Sequence, residues 1–506
     1  KALGIRAKSH GIGLTVDAEE ADRLDLSLDI VERVYGDPAL DGWEGFGLAI
    51  QAYQKRAYIL IDWLAELVQR HQRRMMVRLV KGAYWDTEIK VAQERGLSGY
   101  PVFTRKASTD VSYLACARKL LDRQDLFYPQ FATHNAHSLA YVRELAGDRR
   151  GYEFQRLHGM GEPLYDQIVG PDLPCRVYAP VGGHEDLLAY LVRRLLENGA
   201  NTSFVNRLQD EEVPVEAIVE DPVAKVLALP VKPHPRIPLP VDLFQPERAN
   251  SRGIDFSDPT ALRPELDAMA RATETEWVAG PMVGEARIGR PGREVFDPAD
   301  RTRRIGTVID ATPEDADRAL ALAHKAARSW NEKGGPYRAA ILDRVADLIE
   351  SHRAELMAMT VREGGKTLPD ALAEVREAAD FCRYYAARAR DSFNGPRLLP
   401  GPTGEENSLS LHGRGVFVCI SPWNFPLAIF TGQVAAALVA GNAVIAKPAE
   451  QTPLIAARAV RLFHEAGVPP EVLHLLPGDG ATIGGRLVAD PRTAGVAFTG
   501  STETAC

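Results

Sequence analysis

Six short apolar runs, at residues 12–17, 46–53, 75–81, 127–134, 153–160 and 175–181, alternate with segments of helical period such as 55–71 and 111–121. That alternation constrains the fold more than any other feature, because strand–helix–strand repeats of this kind form parallel βα units. An open doubly wound sheet would carry a Gly-rich turn after its first strand, and none is present. A closed barrel of eight units would need about two more units before Lys1. The expected fold is the barrel, with its start missing.

In such a barrel the C-terminal ends of the strands converge on one site. Here they offer Asp17, Gln51, Arg78 to Lys81, Thr133-His134-Asn135, Gln155 with His158, and Tyr178. Polar groups at so many strand ends point to one shared polar site. The stretch from Arg78 to Asp86 concentrates the pattern: Arg78 offers a planar cation, Gly82 lets backbone approach closely, and Tyr84 and Trp85 supply flat walls. Read alone, it is more simply a strand end with ordinary surface aromatics. After the last strand, residues 185–198 show two helical faces. Leu188, Leu191, Val192 and Leu195 make an apolar stripe, and Tyr190, Arg193, Arg194 and Glu197 fall on the other side. An Arg pair beside a Tyr suits bidentate capture of a small carboxylate. For a lone helix, a solvated face with an internal Arg–Glu pair is the simpler account.

At 506 residues the chain exceeds one core, so two or three domains are expected. With 45% hydrophobic and 25% charged residues, the composition is that of a soluble globular protein. A net charge of −8 with both signs interspersed gives no footprint for nucleic acid and no polybasic membrane anchor. The five cysteines (116, 175, 382, 419 and 506) lack CxxC spacing, which argues against a disulfide framework or a metal site and fits a reducing cytosol. No signal peptide opens the chain, and the apolar run 434–440 is too short to span a bilayer. The chain starts on Lys1 rather than Met and stops after Cys506, so both ends are expected to be cut.

From 208 to 281 the period loosens, and prolines at 214, 222, 230, 233, 235, 238, 240 and 246 predict a semi-rigid surface linker, with one helical segment at 261–272. Beyond it, 294–310 reads as a pair of strands, and Thr312-Pro-Glu-Asp as a helix start with N-cap, Pro at N1 and an acid in the first turn. Long amphipathic helices are expected at 315–330, 337–361 and 369–390. A buried strand then runs from Gly415 into the Pro-bounded turn Ser421-Pro-Trp-Asn-Phe-Pro426. A helix at 431–440 leads to the strand Ala443-Val-Ile-Ala-Lys447, and a βαβ unit continues through 472–477 to Phe498-Thr-Gly-Ser-Thr502. No GxGxxG is present, and Gly478-Asp-Gly480 alone is a weak turn signal.

The runs VRLVKGAYWD, FATHNAHS, EFQRLHGMGEPLYDQ, RVYAPVG and AYLVRRLLENGANTSFVNR closely resemble the proline dehydrogenase domain of the bifunctional proline-utilisation enzymes. The resemblance implies a (β/α)8-type flavin barrel over residues 1–207, with FAD above the strand C-termini. It implies that Arg78 lies near the flavin N5 and that Gln51 reaches the isoalloxazine edge. Val80, Lys81, Gly82, Trp85, Thr104, Lys106, Thr133, His134, Asn135 and Glu197 would line the cofactor. Arg193 and Arg194 would hold the proline carboxylate, Tyr84, Tyr178 and Tyr190 would wall the substrate, and Asp17 would close the site. The family pairs that Asp with a Lys in a segment absent here.

The trio ISPWNFP, AKPAEQTP and FTGST resembles the NAD(P)-dependent aldehyde dehydrogenases, placing the N-terminal part of a Rossmann-like α/β domain over 282–506. On that resemblance Asn424 helps form an oxyanion hole, Lys447 and Glu450 lie around the adenosine ribose of NAD, and Gly500-Ser501 lies beneath the pyrophosphate. The nucleophilic Cys and general-base Glu of that superfamily belong downstream of the FTGST turn. Cys506, six residues past Gly500, is too close to serve, so the second oxidation is expected to be absent from this stretch. The whole implies FAD-dependent oxidation of proline to pyrroline-5-carboxylate. In the intact parent this is followed by NAD-dependent oxidation of glutamate semialdehyde to glutamate. Quinone is the implied electron acceptor, with a cytoplasmic location, a peripheral contact with the inner membrane face and a homo-oligomer. Two other classes are alternatives: a non-catalytic scaffold that binds FAD weakly, and a glycosidase barrel, for which only Asp17 and Asp86 offer carboxylates at strand ends.

Overall fold

The computed structural model describes residues 1–170, 173–199, 220–285 and 289–505. Two compact units emerge, Lys1–Glu94 with Gly99–Leu239, and Arg95–Ser98 with Pro240–Cys506. The described part of the Pro-rich stretch divides between them at Leu239. Within it, Asn250 and Ser251 are buried in the second unit.

Each apolar run in the first unit forms a strand: β1 (Leu14–Val16), β2 (Phe46–Gln51), β3 (Met75–Val80), β4 (Phe127–Ala132), β5 (Glu153–Leu157) and β6 (Cys175–Tyr178). They pair in sequence order, all parallel, as a half-barrel. Around them run α1 (Ala2–Ser9), α2 (Leu24–Tyr35), α3 (Ala57–His71), α4 (Trp85–Glu94), α5 (Lys106–Leu121), α6 (Ala136–Ala146), α7 (Glu162–Tyr165) and α8 (His184–Gly199). Side chains alternate across the sheet. On β3, Met75, Val77 and Leu79 enter a core with Ile61, Leu64, Tyr113 and Phe131, which leaves Arg78 on the opposite face. Register sets Arg78 beside Gln130, and Gln130 beside Glu153, in one polar row.

In the second unit, β7 (Trp277–Ala279), β8 (Arg293–Asp297) and β9 (Asp300–Val308) form one sheet, and β10 (Arg397–Leu399) with β11 (Asn407–Leu409) an antiparallel pair. The strands β12 (Val416–Ile420), β13 (Ala443–Lys447), β14 (Leu473–Leu475) and β15 (Thr493–Phe498) make a parallel sheet in the order β14-β13-β12-β15. Thr312 and Asp315 form the reciprocal capping box of the helix Pro313–Glu332. The single helix expected over 337–361 is two, Gly335–Ser351 and Arg353–Gly364. His352 leaves helical geometry between them, and its Nδ1 bonds the carbonyl of Leu348. Among the described residues, no helix is long and apolar enough to cross a membrane.

Candidate functional site

The polar row on the half-barrel continues into the strand exits. Arg78, with 17% of its side chain exposed, donates from Nε to Gln155 Oε1 at 2.8 Å. Its Nη1 lies 3.4 Å from Asp17 Oδ1, and its guanidinium sits 5.2 Å from the centre of the Tyr178 ring. Asp17, Arg78 and Tyr178 thus meet at the strand exits. Glu153 organises the row behind them. Its Oε1 accepts from Gln130, Gln155 and Arg176, and its Oε2 from a second nitrogen of Arg176. Burial would raise the Glu153 carboxyl, but Arg176 and the two amides outweigh it and hold it below its ordinary range.

A second chain of contacts ties the segments after β1 and β2 to the exit of β3. Tyr84 donates its hydroxyl to Glu19 at 2.7 Å, and Gln51 donates from Nε2 to the Glu19 carbonyl at 2.7 Å. Gln51 Oε1 accepts from Ala83 N at 3.2 Å. The Glu88 carboxylate takes Ala21 N at 2.7 Å and the Tyr53 hydroxyl at 3.4 Å, and burial raises its pKa despite those donors. Lys81 and Lys106 share Asp110, an arrangement that keeps two cations together beside the exit of β3. Burial pulls the Lys81 amine down, and Asp110 opposes it.

Several expected cofactor residues hold each other in this structure. Thr133 Oγ1 accepts from Asn135 N, Asn135 Oδ1 caps α6 through Ser138 N, and His134 Nε2 accepts from Leu157 N at 3.2 Å. Trp85 donates from Nε1 to Phe103 O, and Thr104 Oγ1 accepts from His234 N. Val80 ends β3, and Tyr190 lies on α8. Arg193, Arg194 and Glu197 fall in the last turns of α8, and their side chains lie outside the described residues. Glu19, Asp110 and Glu153 belong to this cluster although strand-end spacing does not single them out. Only Glu153, two residues before Gln155 and so on its face, carried a readable signal.

In the second unit the three motifs reach the C-terminal edge of one parallel sheet, where the open α/β architecture places ligands. Asn424 is exposed in the turn after β12. Lys447 ends β13, only 4% exposed, and burial draws its amine down against the pull of Glu450, Asp479 and Asp310. Glu450 accepts from Gly480 N at 2.9 Å, while its carbonyl takes Arg293 Nη2 at 2.8 Å. Gly500 and Ser501 follow β15, with Ser501 Oγ 2.9 Å from Thr504 Oγ1. Gln433 ties this turn to the helix Ala428–Val439 through Thr499 at 2.9 Å. Cys419 is buried in β12, which pushes its thiol up to about 12, the behaviour of a small apolar residue.

Residues 1–207 match the proline dehydrogenase family, and residues 287–506 the aldehyde dehydrogenase family. The Bifunctional protein PutA of Klebsiella aerogenes is 52% identical over 520 residues, covering 100% of this chain and 39% of its own length. The 1-pyrroline-5-carboxylate dehydrogenase of Geobacillus kaustophilus is 41% identical over 208 residues, covering 41% of this chain and 40% of its own length. A crystal structure of a Bradyrhizobium japonicum proline utilization A (PutA) mutant matches with a TM-score of 0.90 at 55% identity, covering 100% of this chain and 48% of that one. The chain therefore spans about two-fifths of the length of the curated bifunctional relatives it matches. With a proline dehydrogenase region followed by an aldehyde dehydrogenase region in one polypeptide, this chain belongs to the bifunctional proline-utilisation family.

Proposed function

We propose that residues 1–207 oxidise L-proline to pyrroline-5-carboxylate with FAD and pass the electrons to quinone. Residues 208–281 connect this region to 282–506, which binds NAD as one part of the oxidation of glutamate semialdehyde to glutamate; the nucleophilic Cys and general-base Glu that this step needs belong downstream of the FTGST turn. The observation that carries the reading is the meeting of Asp17, Arg78, Gln155 and Tyr178 at one barrel mouth, in a chain with both family regions in order.

The chemistry of the donor set fits FAD. Arg78, Lys81 and Lys106 put cations at the strand exits beside Gly82, as an anionic cofactor requires. Those four residues, with Gln51 and Thr104, would hold it, and when bound it supplies the acceptor for hydride from proline. Arg78, fixed by Gln155, favours the electron-rich reduced state. Arg193 and Arg194 orient the substrate carboxylate, while Tyr84, Tyr178 and Tyr190 exclude water around the ring. The Cδ–H leaves as hydride and the amine N–H as a proton, so a substrate bound as the free amine needs no dyad of acid and base. In the second region Asn424 donates to a developing oxyanion, and Lys447 and Glu450 receive the ribose of NAD.

A cytoplasmic homo-oligomer with a peripheral membrane contact suits quinone reduction. FAD uptake followed by dye reduction on adding L-proline tests the reading. Purified protein that takes up no flavin, or whose dye reduction ignores L-proline, refutes it.

A further inference from the structure

The two helices that leave the site loops of the second unit start without a capping side chain of their own. Leu427 precedes the helix Ala428–Val439, and Thr452 precedes the helix Pro453–Glu465 without using its hydroxyl as a cap. The first amides of a helix have no partner within it, and burying them unpaired is costly. Here each set is met by a carboxylate from a distant part of the chain. Glu363, 6% exposed, accepts from Leu454 N at 2.7 Å through Oε1 and from Ile455 N at 2.9 Å through Oε2. Glu374, 1% exposed, accepts from Leu427 N at 3.1 Å and Ala428 N at 2.8 Å through Oε2. The two glutamates sit on successive helices, Arg353–Gly364 and Leu368–Ser392.

Their surroundings differ. Lys366 Nζ stands 3.5 Å from Glu374 Oε1 and 4.3 Å from the Phe425 ring centre, so Glu374 holds its loop with help from a cation. For Glu363 no ion pair is formed among the described residues, and its carboxylate is committed to two amides of the first helical turn. The loop before that turn runs from Lys447 to Thr452. Other bonds that hold it include those from Gly480 N to Glu450, from Arg293 to the Glu450 carbonyl and from Ser421 N to the Lys447 carbonyl. Because Glu363 caps the helix from behind, Thr452 is released from that task and the loop turns Glu450 outward, exposed, beside the buried Lys447.

We propose that Glu363 is a positioning residue of the nucleotide site. Through the first turn of the helix Pro453–Glu465 it sets the shape in which Lys447 and Glu450 meet the adenosine ribose of NAD, without touching NAD. This rests on the NAD reading given above.

The test is calorimetric titration of NAD into the unsubstituted protein, Glu363→Gln and Glu374→Gln, with hydrogen exchange on each. Glu363→Gln should weaken NAD about tenfold, the scale of a lost helix cap. Glu374→Gln, which disturbs the other loop, should stay within about twofold. Exchange in Glu363→Gln should quicken over 447–456 and stay unchanged in the rest of the unit. Unchanged affinity in Glu363→Gln, equal weakening in Glu374→Gln, or faster exchange throughout the unit would each overturn the inference while leaving the NAD reading intact. Absence of NAD binding by the unsubstituted protein would instead overturn that reading, and this inference with it.

Discussion

Arg78 and Glu153 are joined through a single amide: Gln155 accepts from Arg78 Nε at 2.8 Å and donates to Glu153 Oε1 at 2.7 Å. A guanidinium only donates and a carboxylate only accepts, so the two partners leave the Gln155 amide one orientation. The orientation of the cation at the barrel mouth is thus set by a buried anion two strands away.

Replacing Gln155 by Leu removes both bonds at nearly constant volume. We expect kcat/KM for proline oxidation to fall about tenfold or more, because a loosened Arg78 no longer meets the reacting geometry. Thermal melting alongside steady-state dye reduction checks this. A large loss of activity with a small change in melting supports the relay, and unchanged kinetics would dismiss it.

His474 supplies a dependence on pH. The ring is fully buried, its Nδ1 accepts from Gly284 N at 3.3 Å, and Nε2 faces the Glu471 carbonyl at 3.0 Å. The neutral ring with its proton on Nε2 satisfies both bonds, and the imidazolium would break the first. Burial accordingly pushes the pKa from its ordinary 6.5 down to about 4. With the folded pKa depressed, the stability this group contributes is present above about 6.5 and lost as pH falls towards 4. Urea midpoints should show the unsubstituted protein losing roughly 2 kcal/mol more between pH 7 and pH 5 than His474→Gln. Equal losses in the two proteins would count against it.

Among the described residues, Arg338 is the largest fully buried side chain. It donates from Nε to Val439 O at 2.8 Å and from Nη1 to Trp330 O and Asn331 O at 3.2 and 2.8 Å. These carbonyls end two helices, where a cation is favoured. Burial draws its pKa down to about 10. Arg338→Met removes the side-chain donor from Val439 O and the charged partner from Trp330 O and Asn331 O, which keep the amides of Lys333 and Gly334, and should cost about 2 kcal/mol in a denaturant titration. A cost below about 1 kcal/mol would mean that water replaces the guanidinium.

The strands of the first unit were legible because short apolar runs mark them, buried at every position in β2 and at alternate positions in β3, and because their polar exits stand out against them. The mouth was legible as a set of residues, yet its wiring was not. Glu153 gathers Gln130 from β4 and Arg176 from β6, and only the register across three strands brings them together. The helix Trp85–Glu94 escaped notice because its first residue reads as a strand-end aromatic. The break at His352 was hidden by an apolar period that runs through it. Glu363 and Glu374 lie 91 and 53 residues from the nearest amides they serve, beyond any local pattern.

Gly82 has a positive φ of 139°, and a Cβ there would lie 2.4 Å from the Tyr53 ring. Tyr53 in turn bonds Glu88, which holds Ala21. The loops leaving the first and third strands are consequently one mechanical piece, with an aromatic plate as its hinge pin. Any residue larger than glycine at that point would be felt not only where it stands but across the opening, at the carboxylate of Asp17.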